Sequence, residues 1–175
     1  MLIRDATVAE MTQVAQVRVT AYQAGEHLSP GSQYEQRLRE LGADGAGDVL
    51  VSVDQGGEIT GTVMLQPWPH AGQVVTGPEE AEIRALAVLP EAQGSGLGKA
   101  LLEAIIERAR IREVGHLVLV TQADMVTAQR MYAKAGFTRL ADRDWSPNPG
   151  NLLLAYGLPL TACHDSSAGS GAASG

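Results

Sequence analysis

The part of the chain best suited to hold a charged ligand is a short stretch rich in glycine. It consists of Gln93, Gly94, Ser95, Gly96, Leu97, Gly98 and Lys99. Glycine lets the backbone approach a ligand closely and turn several N–H groups in one direction. Because the pattern predicts that a helix begins within this stretch, the partial positive charge of a helix N-terminus would add to those groups. The stretch therefore predicts a loop that binds a pyrophosphate.

Two familiar nucleotide-binding motifs do not fit this loop. A Walker A loop requires a glycine six residues before its lysine and Ser or Thr directly after it, and those positions hold Gln93 and Ala100. The dinucleotide fingerprint G-x-G-x-x-G ends on Lys99 or Leu101 instead of glycine, depending on its start. On these residues alone, a tight strand-to-helix turn that binds nothing stays open as an alternative.

The segments around the loop predict a strand–helix–strand unit. Ala81–Leu89 has the pattern of a strand, and Gly96–Arg112 has the apolar spacing of a helix. Leu117–Val120 is apolar throughout, as in a strand that is buried on both faces. Two strands that are joined through a helix in one sheet should run parallel. A further helix is expected over about Thr127–Ala135, where Gly136 would end it.

The rest of the chain predicts hairpins and helices. The predicted segments are a strand at Leu2–Arg4, a helix from a Thr7/Glu10 capping box to about Tyr22, a helix at about Ser32–Leu41, a hairpin of Val49–Val53 with Ile59–Gln66, and a final antiparallel pair of Phe137–Leu140 with Leu152–Leu158. Trp145–Gly150 predicts a rigid, irregular link within that pair. Pro67–Pro78 is long enough for a loop beside a substrate, although a plain surface connection fits equally well.

Two motifs of the sequence resemble those of the GNAT superfamily of N-acetyltransferases. Gln93-x-x-Gly96-x-Gly98 matches the Q/R-x-x-G-x-G/A pyrophosphate loop of that superfamily and follows the same strand. The downstream element A-x-x-x-Y-x-x-x-G-F is formed here by Ala128, Tyr132, Gly136 and Phe137. The order of elements agrees over about residues 2–158, and the whole chain is similar to actinobacterial members of unassigned substrate.

The resemblance implies an α/β fold of the α+β type. Its central sheet would be mixed and mostly antiparallel, with splayed parallel fourth and fifth strands and flanking helices. Acetyl-CoA would lie between the splayed strands as a cosubstrate, with its pyrophosphate on the Gln93–Lys99 loop. Its pantetheine arm would run along the backbone of Leu86, Ala87 and Val88, because an extended arm that carries amides can pair with a strand as an added strand does.

The resemblance also implies a general acid. Tyr132 falls on the position of a family tyrosine whose hydroxyl lies beside the sulfur of coenzyme A, where it can protonate the leaving thiolate. The alternative is a packing tyrosine that keeps its hydroxyl at the surface.

Glu82 is the candidate general base, because it matches a strand position where some histone-acetylating relatives carry a catalytic glutamate. An amine with a pKa of about 10.4 is mostly protonated at pH 7, so a base must remove a proton before attack. Strand alternation predicts that Glu82 shares a face with Arg84, Leu86 and Val88. A structural Glu82–Arg84 pair, or a base that acts through a chain of waters, are the alternatives.

Several other residues bear on the site. The family often carries Asn seven residues before the tyrosine, where the Asn can hydrogen-bond to the cofactor or to the backbone. This chain has Met125 at that position, so that hydrogen bond would be absent or replaced by one from Asp124. Arg18, Tyr22 and Trp145 could line the acceptor pocket, but as helix or loop residues they are expected to be packing or surface residues. The four histidines are expected to be structural or exposed rather than catalytic.

Charge and composition narrow the class of function. A net charge of −7 argues against a nucleic-acid partner. The single cysteine, Cys163, lies far from the motifs, which argues against a covalent acyl-cysteine and against a metal cluster of Cys and His. The chain has no pattern of a signal peptide and no apolar run of membrane-spanning length. We therefore expect a cytoplasmic protein that binds neither nucleic acid nor membrane.

These observations predict a single GNAT domain over residues 1–160 and a disordered tail rich in Ser, Ala and Gly over residues 161–175. The predicted function is transfer of an acetyl group from acetyl-CoA directly to a primary amine of a small molecule or peptide, within a ternary complex. One alternative is a CoA-binding module that senses or regulates without catalysis, and another is an enzyme for a longer acyl-CoA. The acceptor and the oligomeric state stay open, with a homodimer among the options.

Overall fold

The computed structural model describes residues 1–72 and 74–160, so the predicted tail at 161–175 lies outside the described residues. The strands are β1 (Leu2–Asp5), β2 (Asp48–Val53), β3 (Ile59–Pro67), β4 (Glu80–Val88), β5 (His116–Gln122), β6 (Thr138–Arg139), β7 (Trp145–Asn148) and β8 (Asn151–Pro159). The helices are α1 (Met11–Ala24), α2 (Gln33–Glu40), α3 (Leu97–Ile111) and α4 (Val126–Lys134). Short 3-10 turns lie at Val8–Glu10, Pro90–Ala92 and Ala141–Arg143.

All of these strands join one mixed sheet in the order β1-β2-β3-β4-β5-β8-β6, with β7 paired to β8. β4 and β5 run parallel, as the strand–helix–strand unit predicts, and the other paired strands run antiparallel. This arrangement confirms the predicted fold class.

β4 and β5 pair only at their first residues and then separate. Their pairing runs from Glu80 opposite His116 to Glu82 opposite Val118 and extends no further. β5 continues alongside β8 as far as Gln122. From Ile83 onward, β4 therefore has no strand partner on its β5 side within the described chain, and a wedge-shaped opening lies between the two strands.

A β-bulge interrupts β4 beside this opening. The register of β3 and β4 shifts between Thr62 and Met64, so that Ala85 and Leu86 together lie opposite Val63. Ala85 has φ 51°, in the left-handed region that residues with a side chain seldom adopt. A bulge leaves its extra residue outside the regular ladder and bends its strand.

The bulge also reverses which side chains face which side of the sheet. Ile83 before the bulge, and Leu86 and Val88 after it, all pack against the same hydrophobic cluster. The prediction that Leu86 and Val88 share a face with Glu82 and Arg84 is therefore wrong, because one inserted residue shifts the period-2 alternation by one step.

Different helices cover the two faces of the sheet. α1 and α2 pack on one face, where Val14, Val17 and Val51 belong to one buried cluster. α3 and α4 pack on the other face, and the predicted apolar stripe of α3 is buried throughout: Leu97, Leu101, Leu102, Ile105, Ile106 and Ala109. In the described residues, every helix is too short or too polar to cross a membrane.

The predicted cap at the start of the first helix forms, although around a different element. The Glu10 carboxylate accepts hydrogen bonds from the backbone N–H of Thr7 at 2.8 Å and from its hydroxyl at 3.0 Å. These bonds close the 3-10 turn Val8–Glu10, and the α-helix itself begins one residue later, at Met11.

The C-terminal region differs from the prediction at one segment. Trp145–Asn148, which was expected to be part of an irregular link, forms strand β7 and pairs with β8. The register of this pair is irregular between Trp145 and Asn148. Pro147 can lie in β7 because it is an edge strand, where the missing N–H of proline breaks no interior ladder.

A buried carboxylate fixes the point from which β4 and β5 diverge. Glu80, the first residue of β4, accepts hydrogen bonds from His116 at 2.8 Å, from the backbone N–H of Thr76 at 2.8 Å and from Arg143 at 2.9 Å. Burial alone would raise the pKa of Glu80, but these donors outweigh it and lower the pKa to about 2. Glu80 is therefore ionised at neutral pH and joins four segments of the chain.

Candidate functional site

A cavity of about 920 Å³ occupies the opening where β4 and β5 separate. Of the residues predicted to be catalytic or to bind the cofactor, all but Ala87 and Ser95 line it. Those that line it are Glu82, Leu86, Val88, Gln93, Gly94, Gly96, Leu97, Gly98, Lys99 and Tyr132. Residues from both motifs thus meet around one space.

The glycine loop at one end of the cavity has the backbone geometry of an anion site. Gly94 and Gly96 have φ 79° and 81°, which side-chain-bearing residues seldom adopt, and α3 begins directly after Gly96. The side chain of Gln93 donates to the carbonyl of Val88 at 3.1 Å and so ties the loop to the end of β4. The Ser95 hydroxyl donates to the carbonyl of Ala92 at 2.7 Å, so it stabilises the turn itself.

The exposed edge of β4 forms one wall of the cavity. Leu86 and Val88 line the space directly, whereas Ala87 is buried against β3, opposite Thr62. Because β5 no longer pairs with β4 at Leu86 and Val88, the β4 backbone there can pair with an extended ligand that carries amides. A ligand chain of that kind would run from the glycine loop toward Glu82.

Tyr132 is positioned by the way α4 ends. The N–H of Phe137 donates to the carbonyl of Tyr132 at 3.0 Å, and the N–H of Gly136 donates to the carbonyl of Ala133 at 3.1 Å. With Gly136 at φ 99°, these bonds form a Schellman motif. The spacing from the tyrosine to Gly-Phe in the sequence is thus the spacing that this helix end requires.

The Tyr132 side chain is 7% exposed. Its ring lies 6.0 Å from that of Phe137 and 6.2 Å from that of Tyr156. Burial, and secondarily the nearby Tyr34, raise the pKa of the Tyr132 hydroxyl well above its ordinary value. The hydroxyl is therefore protonated at neutral pH, as a proton donor must be.

Glu82 is 4% exposed and lines the same cavity. Its Oε2 accepts a 2.7 Å hydrogen bond from the backbone N–H of Gly72, and its Oε1 lies 3.8 Å from Nε of Arg84. Burial raises the pKa of Glu82, and the charge of Arg84 and the Gly72 bond only partly offset this effect. A carboxyl whose pKa is raised in this way is suited to accept and release protons nearer to neutral pH.

The loop between β3 and β4 belongs to the site. Gly72 and Val74 line the cavity, and Val74 and Val75 are buried against Val118 of β5. Of the two interpretations of Pro67–Pro78, the loop beside a cavity is the correct one. Sequence alone gives no sign that Gly72 supplies the hydrogen bond to Glu82.

The far end of the cavity contains residues that the sequence analysis set aside or missed. Tyr22 and Trp145 line the cavity, so they are not merely packing or surface residues. Tyr34 and Arg37 of α2 line it too, and the rings of Tyr22 and Tyr34 meet edge to face with centroids 6.1 Å apart. Tyr34 and Arg37 are three residues apart, a spacing that places both on one face of α2. The spacing does not indicate which surface that face borders.

Arg18 is a packing residue, as expected, and an unusual one. It is fully buried, and its Nη1 donates to the carbonyls of Leu41 at 2.6 Å and Leu38 at 3.2 Å. Its Nε and Nη2 have no hydrogen-bond partner in the part of the chain that the structure describes. Burial lowers the pKa of Arg18 to about 10, and the nearby charge of Arg84 adds to this effect.

The turn after β5, where this chain has Met125 instead of the usual Asn, is held by a different amide. Gln129 donates from its side chain to the carbonyls of Gln122 at 3.1 Å and Ala123 at 3.0 Å. Asp124, the expected replacement, instead places its carboxylate 3.5 Å from Nδ1 of His27. The missing Asn is therefore compensated from within α4.

The described residues contain no group of three or more His, Cys, Asp and Glu side chains that could hold a metal ion.

Comparison with known proteins gives one family. A family model described as the Acetyltransferase (GNAT) family matches residues 12–137. A mycothiol acetyltransferase of Cellulomonas flavigena is 33% identical over 155 residues, which cover 85% of this chain and 44% of that protein. A mycothiol acetyltransferase of Pseudarthrobacter chlorophenolicus is 39% identical over 103 residues, which cover 59% of this chain and 31% of that protein. The chain thus spans less than half the length of these curated relatives.

Solved structures agree on the fold. A ribosomal-protein-alanine N-acetyltransferase of Brucella melitensis superposes with a TM-score of 0.67 at 23% identity, covering 91% of this chain and 100% of that one. A phosphinothricin acetyltransferase of the GNAT superfamily from Sinorhizobium meliloti, solved with AcCoA, superposes with a TM-score of 0.67 at 20% identity, covering 91% and 88%. At these identities the likeness concerns the fold alone.

Proposed function

The chain belongs to the acetyltransferase (GNAT) family, and on that basis we propose that it moves an acetyl group from acetyl-CoA directly to a primary amine of a small molecule or peptide. The observation that carries the proposal is the cavity between β4 and β5. A glycine loop, an unpaired strand edge, a buried carboxylate and a buried tyrosine all border it.

Acetyl-CoA is the acyl donor of this family, and the cavity suits it as a cosubstrate. The loop that contains Gly94 and Gly96 would hold the pyrophosphate through backbone N–H groups at the start of α3. Lys99 adds a cationic side chain at the mouth, where it pairs with Glu103 at 3.6 Å. The β4 edge at Leu86–Val88 would pair with the amides of the pantetheine arm.

Glu82 acts as the base in this proposal. An alkyl amine enters mostly protonated, and it must lose one proton before its lone pair can attack the thioester carbon. Burial raises the pKa of Glu82, which makes its carboxylate a stronger base than an exposed one. The N–H of Gly72 fixes its orientation.

Tyr132 acts as the acid. As the new C–N bond forms, the C–S bond breaks and the sulfur leaves as a thiolate, which takes one proton to become a thiol. The raised pKa of Tyr132 keeps its hydroxyl protonated at neutral pH, so a proton is available for the sulfur. Starting from the ammonium form, the nitrogen loses two protons: one to Glu82 before attack, and one as the tetrahedral adduct collapses to the amide. Tyr132 gives one proton to the thiolate and its hydroxyl is restored by the second nitrogen proton, while Glu82 releases the first proton to solvent.

The curated relatives support acetyl transfer as the reaction class, since they are named mycothiol acetyltransferases. Because this chain spans less than half of each of them, their substrate is not assigned to it.

Calorimetric titration with acetyl-CoA, combined with an assay of thiol release in a panel of primary amines, tests the proposal. We expect binding in the micromolar range that Gly96→Glu abolishes, because a carboxylate would then occupy the phosphate loop. Gly57→Glu is the matched control: Gly57 has φ 88° and does not line the cavity, so it reproduces the backbone strain and the charge elsewhere. Absence of binding by the native protein contradicts the proposal, whereas binding without transfer to any amine favours a CoA-binding module.

A further inference from the structure

A smaller recess of about 350 Å³ opens from the acceptor end of the main cavity. It is lined by Arg37, Glu40, Leu41, Gly72, Arg84 and Trp145, and all of these except Glu40 also line the main cavity. The two spaces are therefore continuous, and a ligand that reaches Glu82 has this recess beside it.

The positive charge of the recess is not balanced by its own acidic residue. Arg37 and Arg84 each contribute a guanidinium, while Glu40 contributes one carboxylate whose Oε1 accepts from Gln36 at 2.9 Å. Within the described residues Arg37 makes no ion pair, and the fully buried Arg18 lies close enough to Arg84 for the two charges to repel. Glu82 lies 3.8 Å from Nε of Arg84 and offsets part of this charge, so the cationic group left for an anionic ligand is chiefly that of Arg37.

The guanidinium of Arg84 is held in a fixed orientation by a buried glutamine, Gln66. Its Nη1 donates to the side-chain oxygen of Gln66 at 2.9 Å, and Gln66 itself is 7% exposed. Its Nε lies 3.8 Å from Glu82, beyond hydrogen-bond distance. Among the described residues, Nη2 of Arg84 has no hydrogen-bond partner, and a pre-oriented guanidinium loses little conformational freedom when it binds a carboxylate.

The distance between Glu82 and Arg84 limits which acceptors fit. A base and a carboxylate-binding guanidinium that lie side by side suit a molecule whose amine and carboxylate are attached to one carbon. We propose, as an extension of the function proposed above, that the acceptor is a free α-amino acid whose carboxylate is bound by Arg37 and Arg84 while Glu82 receives the proton of its amine. Trp145 then provides an aromatic wall beside the side chain of the amino acid.

The test compares free α-amino acids with the corresponding α-amino amides as acceptors, with thiol release as the readout. Each pair shares its amine and side chain and differs in the negative charge. Because loss of the carboxylate lowers the pKa of the amine, the amide has more free amine, and a preference for the acid cannot come from nucleophilicity. We expect kcat/KM for the acids to exceed that for the amides roughly 10- to 100-fold, the range of a charge-assisted hydrogen bond.

Arg37→Ala should raise KM for the acids by a similar factor and KM for the amides much less, so that the preference for the acids falls. Arg39→Ala, on the same helix but outside both cavities and paired with Glu35, is the control for charge and helix content and should leave both series unchanged. Equal use of acids and amides by the native protein, or an equal effect of Arg37→Ala on both, overturns this inference while acetyl transfer itself stands. Transfer to neither series also overturns this inference, whereas the proposed function fails only if acetyl-CoA does not bind or if no amine of the wider panel is acetylated.

Discussion

The backbone N–H of Gly72 lies 2.7 Å from Oε2 of Glu82, so that a loop residue ten positions earlier in the chain orients a buried carboxylate of the cavity. The same closeness leaves no room for a side chain: a β-carbon on Gly72 would lie 2.7 Å from that oxygen. The position of Glu82 thus depends on a glycine in a loop, although Glu82 itself belongs to a strand.

Gly72→Ala should displace the Glu82 carboxylate and lower kcat about tenfold or more, since small displacements of a catalytic group are costly. Gly77→Ala is the matched control, because its β-carbon would meet the carboxylate of Glu79, which is exposed and can move away. Steady-state kinetics and thermal melts of both variants are the measurement. Equal kcat values for the two variants would show that the position of Glu82 is unimportant for turnover.

Glu82→Gln should lower kcat/KM by roughly 10²- to 10⁴-fold, the usual contribution of a general base. In the native enzyme, activity should rise with pH through the raised pKa of Glu82, because only the carboxylate accepts a proton. This acid limb should be absent from the pH profile of the variant. An unchanged limb would instead indicate that the base is a chain of waters.

Glu82→Gln should not destabilise the fold at neutral pH. A carboxyl with a raised pKa binds more protons in the folded than in the unfolded state, so the free energy of unfolding falls as pH rises from the ordinary pKa to the raised one. The native protein loses this contribution as the Glu82 carboxyl ionises, whereas the neutral amide has no charge to bury. A melting temperature clearly below that of the native protein would contradict this reasoning.

Tyr132→Phe should reduce kcat by roughly 10²-fold or more while the affinity for acetyl-CoA stays nearly unchanged, because only the proton donor is lost. The ring contacts with Phe137 and Tyr156 do not involve the hydroxyl, so the melting temperature of the variant should equal that of the native protein. Tyr156→Phe is the control, since Tyr156 is equally buried and lies outside the cavity. Undiminished turnover in Tyr132→Phe would exclude the acid role.

Glu80→Gln should destabilise the protein at pH 7 by roughly 3 kcal/mol, which is the free energy that corresponds to a pKa lowered from 4.5 to about 2. A lowered pKa stabilises the fold above the ordinary value, and this stabilisation is lost as pH falls from about 4.5 toward 2. Urea denaturation at pH 7 and pH 3 measures both effects. Glu107→Gln, at a side chain that is 62% exposed, should change the stability much less, and equal losses in the two variants would contradict the role assigned to Glu80.

Sequence patterns that span only a few residues correctly predicted the local structure around the glycine loop and Tyr132. The turn at Gly96, the apolar stripe of α3 and the position of Tyr132 before Gly136 each depend on residues within a few positions of one another. The loop Gln93–Lys99 also depends on neighbouring residues, and its Gly94 and Gly96 adopt a backbone conformation that only glycine takes easily.

The features that the sequence did not predict depend on contacts between distant segments. The bulge at Ala85 carries no glycine to mark it, yet it decides which side chains of β4 face the cavity. The side of α2 that carries Arg37 borders the cavity only because the whole helix packs across the sheet, and β7 forms only because β8 offers an edge for it. A pattern within one segment does not show which distant segment it will contact in the fold.

The wedge between β4 and β5 is fixed at its apex and open at its far end. At the apex, Glu80 accepts hydrogen bonds from His116 and Arg143, and from Thr76 of the loop that also contains Gly72. The far end is bordered by α2 and β7, which supply none of these three hydrogen bonds. Under the proposed function, substitutions on α2 and β7 would therefore change which acceptor fits while the apex and the glycine loop keep their geometry.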